Sequence, residues 1–146
     1  VMAATFVSAT TMVPASAAES LFWAETGPGG FMTNGPAFVI RANADGTGAT
    51  AIVSGADRIK GPNGLEFYNG ALYWPDQQLN SGRVNGEGGQ YLELASGAYD
   101  IAANANAVFY SLGSANRILK SNADGSGLTT LITGLSFPFA VDVSAS

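Results

Sequence analysis

The chain contains no cysteine and no histidine among its 146 residues. The first absence removes thiol nucleophiles, thiolate metal ligands and any disulfide framework that would report an oxidising compartment. The second removes imidazole general bases, Ser-His dyads and the commonest zinc and haem ligand. Charge is scarce as well: 12% of residues are charged and the net charge is −5. The six basic residues, Arg41, Arg58, Lys60, Arg83, Arg117 and Lys120, are scattered along the chain and form no stripe that would neutralise a phosphate backbone. Nucleic acid is therefore not an expected partner. What is abundant is glycine, 19 residues, alongside Ala, Ser, Thr and Asn. Such a mixture suits short strands joined by tight turns.

Val1 to Val13 is apolar and uncharged, and is followed by Pro14 and the small residues Ala15-Ser16-Ala17-Ala18. This run is too short to span a bilayer, which takes about 20 residues. It has instead the layout of a secretory signal, with an apolar region, a helix breaker and an A-x-A site cut after Ala17. The basic region that normally precedes the apolar part is missing, so the expectation is a signal peptide at residues 1–17 that lacks its start. Residues 18–146 would then be the exported part.

One phrase occurs three times: Asn43 to Gly55 (NADGTGATAIVSG), the looser Asn85 to Gly97 (NGEGGQYLELASG) and Asn122 to Gly134 (NADGSGLTTLITG). A period of about 40 residues belongs to repeat architectures. Within the middle unit, Leu65–Phe67 and Ala71–Trp74 flank Asn69-Gly70, the dipeptide best suited to a type I′ hairpin turn. Strands at Gly82–Val84 and Tyr91–Leu94 follow, the latter alternating Tyr91 and Glu93 against Leu92 and Leu94. Four antiparallel strands in about 40 residues make one propeller blade. The third unit repeats the order at Asp100–Ala102, Val108–Tyr110, Arg117–Lys120 and Leu128–Ile132. The first supplies second to fourth strands at Leu21–Trp23, Phe38–Arg41 and Ala49–Ser54. The predicted fold is all-β, with about three four-stranded antiparallel blades.

Tyr73-Trp-Pro-Asp76, Phe22-Trp-Ala-Glu25 and Phe109-Tyr-Ser-Leu112 recur at the second strand, and Arg41-Ala-Asn-Ala-Asp-Gly46 and Lys120-Ser-Asn-Ala-Asp-Gly125 at the third. Pro62-Asn-Gly-Leu65 and Pro138-Phe-Ala-Val141 each lead into an innermost strand. In these features, over roughly residues 21 to 142, the chain resembles the YWTD propeller repeats of the low-density lipoprotein receptor family, and is nearer to their bacterial secreted relatives. The resemblance implies a six-bladed domain and an extracellular binding or scaffolding role. Leu112 departs from the motif at its acid, which removes that acid as a brace of the third blade.

Phe139–Val143 reads as a lone first strand, so that the first blade is split between the two ends of the chain. Three blades are fewer than the four to eight that close a propeller. The expectation is a partial domain; the alternative is a two-fold pair of halves, a homodimer, making six blades.

Several candidate sites are weak. The two Asn-x-Asp-Gly turns resemble the start of a calcium loop but lack an acid in the strand that follows, and hairpin turns account for them. Gly46-Thr-Gly48 lacks the strand-to-helix context of a dinucleotide site. Among the carboxylates Asp57, Glu66, Asp76, Asp100 and Asp142, the pair Asp100 and Asp142 lies on or beside inner strands, where propellers commonly bind ligands. Phe31 and Met32 stand at the tip of the inserted loop Thr26–Pro36. These four residues, Phe31, Met32, Asp100 and Asp142, are the ligand-binding candidates. No catalytic residue, metal site or cofactor is expected. Trp23, Trp74 and Tyr110 should take equivalent places and pack between blades. The functional expectation is an exported, non-enzymatic propeller module for a protein or glycan partner. The alternatives are part of a gluconolactonase-like hydrolase or lyase with its catalytic residues elsewhere, and a self-associating half-propeller.

Overall fold

In a computed structural model the described residues are 19–26, 36–55, 58–85 and 91–144, and they form three antiparallel sheets with no α-helix. Sheet 1 is β1 (Ser20–Thr26), β2 (Ala37–Asn43) and β3 (Thr50–Ser54), paired in that order. Sheet 2 is β4 (Glu66–Tyr68), β5 (Ala71–Trp74), β6 (Asn80–Asn85) and β7 (Tyr91–Ser96). Sheet 3 is β8 (Asp100–Ala103), β9 (Val108–Leu112), β10 (Arg117–Ser121) and β11 (Thr129–Ile132), again a simple meander. The residues 1–17 assigned to a signal, the Phe31-Met32 tip, Asp57 and the Gly86–Gln90 part of the middle turn lie outside the described residues.

Turn chemistry sets the hairpins. Asn69 (φ 47°) and Gly70 (φ 75°) both take the positive φ that a type I′ turn demands, and Tyr68 pairs with Ala71 across them. The four-residue turn from Asn104 to Ala107 is held differently: Asn104 Oδ1 accepts from the N–H groups of Asn106 and Ala107 at 2.9 and 3.1 Å.

The sheets stack face to face, and β5 shows how. All four of its residues are buried, which a strand with one wet face would not allow. Leu72 and Trp74 join Ala37, Val39, Val53, Ile59 and Val84 in a core against sheet 1. Ala71 and Tyr73 face the other way, into a core with Ile101, Ala103, Val108, Tyr110, Leu112 and Leu119 of sheet 3. Each such large side chain is worth about 1.5–3 kcal/mol when removed from water. Sheet 2 is therefore the middle layer.

The register also aligns the repeats. Phe22 pairs with Arg41, Tyr73 with Arg83 and Phe109 with Lys120, so an aromatic ring sits beside a basic residue on every sheet. Arg83 lies 5.3 Å from the Tyr73 ring centroid and Lys120 6.0 Å from that of Phe109. One residue further on, Trp23, Trp74 and Tyr110 occupy matching positions opposite Ile40, Gly82 and Leu119, as the motif order predicts. Trp74 and Tyr110 are wholly buried between sheets. Burial pushes the Tyr110 phenol up to about 12, against the opposing effect of its hydrogen bond to Ser121 Oγ.

One strand expectation fails. Phe139–Val143 is not a strand. Among the described residues no strand pairs with it, and its hydrogen bonds run to sheet 3, not sheet 1. Its backbone is tied to side chains instead: Phe139 O accepts from Ser111 Oγ at 3.1 Å and Val141 N–H donates to Asp100 Oδ2 at 2.9 Å.

Candidate functional site

β4 and β8 are the first strands of their sheets and contact one another, so residues on them share the inner side of the array. Glu66 on β4 has its carboxyl pushed up by burial first, then by the negative charges of Asp142 and Asp100; an N–H from Ala103 opposes this. The sequence candidates Asp100 and Asp142 are thus brought near each other, with Glu66 as a third member. Glu66 was visible only as one of several carboxylates. The signal that singles it out is phase: it follows Pro62 by the spacing at which Asp142 follows Pro138. Two of these acids also hold chain: Asp100 Oδ2 accepts from Val141 N–H and Asp142 Oδ1 from its neighbour Val143. Among the described residues no group of three or more His, Cys, Asp or Glu side chains is arranged to hold a metal ion.

Asp76, the acid of the Tyr-Trp-Pro-Asp motif, is fully buried. Its carboxylate accepts from the backbone N–H groups of Lys60 (2.8 Å), Gly61 (3.0 Å), Gln78 (2.8 Å) and Leu79 (2.9 Å). It thereby fastens the connector from sheet 1 to the β5–β6 loop, and burial of a charge is tolerable because every lone pair is used. Sheet 3 has Leu112 in this place, and the brace is built otherwise. A 3₁₀ turn at Gly113–Ala115 ends on Asn116 in the left-handed region, φ 54°. Asn116 then accepts from Leu135 N–H through its backbone oxygen and from Phe137 N–H through Oδ1, at 3.1 and 2.9 Å.

The repeated Asn-x-Asp-Gly turns are self-contained. Asp45 Oδ1 accepts from both the N–H and the hydroxyl of Thr47, and Asp124 Oδ1 does the same with Ser126. The hydroxyl bonds are the main reason that both carboxyls lie below the usual range. Asn43 and Asn122 close each turn onto the same hydroxyls, at 3.0 and 2.9 Å.

An open cleft of ≈ 380 Å³ remains, lined by Phe22, Trp23 and Ala24 of β1 and by Pro62, Asn63, Gly64 and Leu65 leading into β4. It runs along the edge of sheet 1 on the side where sheets 2 and 3 carry β4 and β8. Phe22 stacks on Phe67 with ring centroids 5.6 Å apart, and Asn63 Nδ2 donates to Tyr99 O at 3.3 Å. The cleft is thus apolar on one wall and fixed to the inner strands on the other. Sequence reading did not find it, because its two walls, Phe22 to Ala24 and Pro62 to Leu65, are far apart in the chain.

Among the described residues no helix is long and apolar enough to cross a membrane. No family model and no curated protein matches the chain. Its structure is similar to a β-propeller chain in the crystal structure of the nidogen/laminin complex, with a TM-score of 0.56 and 18% identity over 70% of this chain. The match covers 38% of that protein, so the chain spans well under half its neighbour's length. At that identity the likeness is one of fold, and the fold is an all-β array of β-propeller blades.

Proposed function

We propose that the chain is part of an exported six-bladed propeller of the YWTD type, and that it serves as a binding module for a protein or glycan partner. The observation that carries this reading is the likeness to a propeller chain taken from a complex named for two proteins, nidogen and laminin. Asp100 ties Val141 of the C-terminal segment to β8 through a backbone N–H, a chain-holding role that fits a scaffold. Phe31 and Met32, in the Thr26–Pro36 insertion that joins β1 to β2 in sequence, are our candidates for contact with that partner. Export rests on the residue 1–17 signal, cut to leave a mature start near Ala18.

Expression of the gene with its native start, followed by sequencing of the processed N-terminus, tests export: an intact 1–17 segment on a cytoplasmic product overturns it. Binding is tested on glycan and extracellular-protein arrays. A ligand found there should be lost in the Phe31→Ser/Met32→Ser variant, and retention of full binding removes the loop from the site. Lactone hydrolysis by the purified chain would overturn the non-enzymatic reading.

A further inference from the structure

An asparagine that precedes glycine is open to loss of its side-chain amide, because glycine has no Cβ to shield the backbone nitrogen that attacks it. The chain has four such pairs, at 34–35, 63–64, 69–70 and 85–86. The first and last reach outside the described residues, so the comparison rests on Asn63 and Asn69. Both are exposed, and what separates them is anchoring. Asn63 is held by main chain and side chain alike: its N–H donates to Pro75 O and its Nδ2 to Tyr99 O, each at 3.3 Å. The neighbouring Pro62 is fixed as well, by a bridge to Asp76. Asn69 has no side-chain hydrogen bond among the described residues, and no atom lies within 4 Å of where a Gly70 Cβ would stand.

We infer that Asn69 is a site of spontaneous deamidation in the folded protein, while Asn63 is protected by its two hydrogen bonds. The Gly70 nitrogen gives up its proton to solvent and attacks Asn69 Cγ. The N–Cγ bond forms, the Cγ–Nδ2 bond breaks, and the amide nitrogen leaves as ammonia. Water then opens the resulting five-membered imide at one carbonyl or the other, giving aspartate or isoaspartate. In the type I′ turn the left-handed Asn69, φ 47°, holds the Gly70 nitrogen on the far side of Cα from the side chain, so the turn must first rotate. Nothing is packed against the tip to resist that rotation, and such tips open at low cost. At Asn63 the same rotation breaks the bonds to Pro75 and Tyr99.

The product matters to the fold. Isoaspartate routes the main chain through the former side chain and lengthens a turn whose type I′ geometry sets the pairing of Tyr68 with Ala71. β4 is only Glu66–Tyr68, so it has little pairing to spare when the end next to the turn is spread.

The test is incubation of the purified chain in mildly alkaline buffer, followed by trypsin digestion and fragment mass spectrometry. The Gly61–Arg83 peptide carries both residues, so each molecule reports on the two together. In the folded chain Asn69 should lose its amide about tenfold faster than Asn63, the factor expected when two hydrogen bonds must break first. In urea the two should react at similar rates, both faster than in the fold. Asn69→Gly keeps a dipeptide suited to the turn and has no amide, so it should abolish the isoaspartate found in this peptide by enzymatic methylation. Equal rates at the two residues in the folded chain overturn the proposal, as does an Asn69 that stays intact there while the unfolded chain reacts. Isoaspartate that persists in the Asn69→Gly peptide overturns it too. Partner binding is a separate reading on which none of these results bears.

Discussion

Gly82 is the position where one methyl group should do most damage. It pairs with Trp74 across β5 and β6, and the indole occupies the space where a Gly82 side chain would begin. A Cβ at Gly82 would stand 2.0 Å from Trp74 Cζ2, 2.3 Å from Cε2 and 2.8 Å from Cη2. Carbon atoms rest about 3.5–4.0 Å apart, so the ring must retreat by roughly 1.5 Å or more. It has nowhere to go, because Trp74 is 0% exposed and is stacked on Tyr91 at 5.9 Å between ring centroids. Forced overpacking costs about 1–3 kcal/mol, and complete loss of the indole from its site about 3–5. Gly82→Ala should therefore cost about 3 kcal/mol in urea unfolding. Elsewhere in a strand the same change is neutral or helpful, since alanine restricts the unfolded chain. In a Trp74→Leu background the clashing ring atoms are gone, and Gly82→Ala should then cost less than about 1 kcal/mol. The double-mutant cycle should return a coupling of about 2 kcal/mol. A single-variant cost below about 1 kcal/mol, or an equal cost in both backgrounds, would refute the close approach.

Gly70→Val should cost about 1 kcal/mol or more through its positive φ alone, since no atom lies within 4 Å of the added Cβ; thermal melts check this, and an unchanged midpoint would argue against the type I′ turn. Asp76→Ala should cost about 3 kcal/mol by leaving four backbone donors without their acceptor, and Asp76→Asn less, because its remaining oxygen still accepts; denaturant titration ranks the two. Glu66 gives a pH signature. Its folded pKa is raised, so the contribution of its protonated form is fully present below the ordinary value of 4.5 and is lost as pH rises through the raised one. Glu66→Gln should flatten stability across that window and leave the protein more stable than the parent above it, as read by melts over a pH series. Tyr110→Phe should cost about 1 kcal/mol: Ser121 Oγ donates to Asn122 O, so the phenol is the donor in the Tyr110–Ser121 pair, and its loss leaves that hydroxyl short of one bond.

The strands were largely legible because their signals are local. Asn69-Gly70 announces a turn whatever surrounds it, and the aromatic pairs at Phe22, Tyr73 and Phe109 mark the equivalent strands β1, β5 and β9. Boundaries were less so. β6 runs from Asn80 to Asn85 rather than Gly82 to Val84, because its start is set by pairing with Ser96 past a bulge. Phe139–Val143 misled for the opposite reason: its composition suits a strand, but strand structure needs a paired neighbour, and among the described residues its bonds go to the side chains of Ser111 and Asp100 instead. The inner acids were half visible, with Asp100 and Asp142 named from their position near inner strands and Glu66 included only as one of five carboxylates. The cleft at β1 could not be read at all, since it forms between β1 and the Pro62 to Leu65 connector, which no local residue pattern joins.

The doubly buried β5 has a consequence for how substitutions combine. Its alternate residues belong to two separate cores, one shared with sheet 1 and the other with sheet 3, and those outer sheets have no core residue in common. Substitutions in the two outer sheets should be independent, each adding its own effect, so these sheets can drift in sequence without regard to one another. A change in β5 alters two interfaces together through a backbone of four residues, and what Trp74 tolerates depends on what Tyr73 has become. The middle blade is the shared wall between two otherwise separate histories, and it is there that the sequence has the least freedom to change one residue at a time.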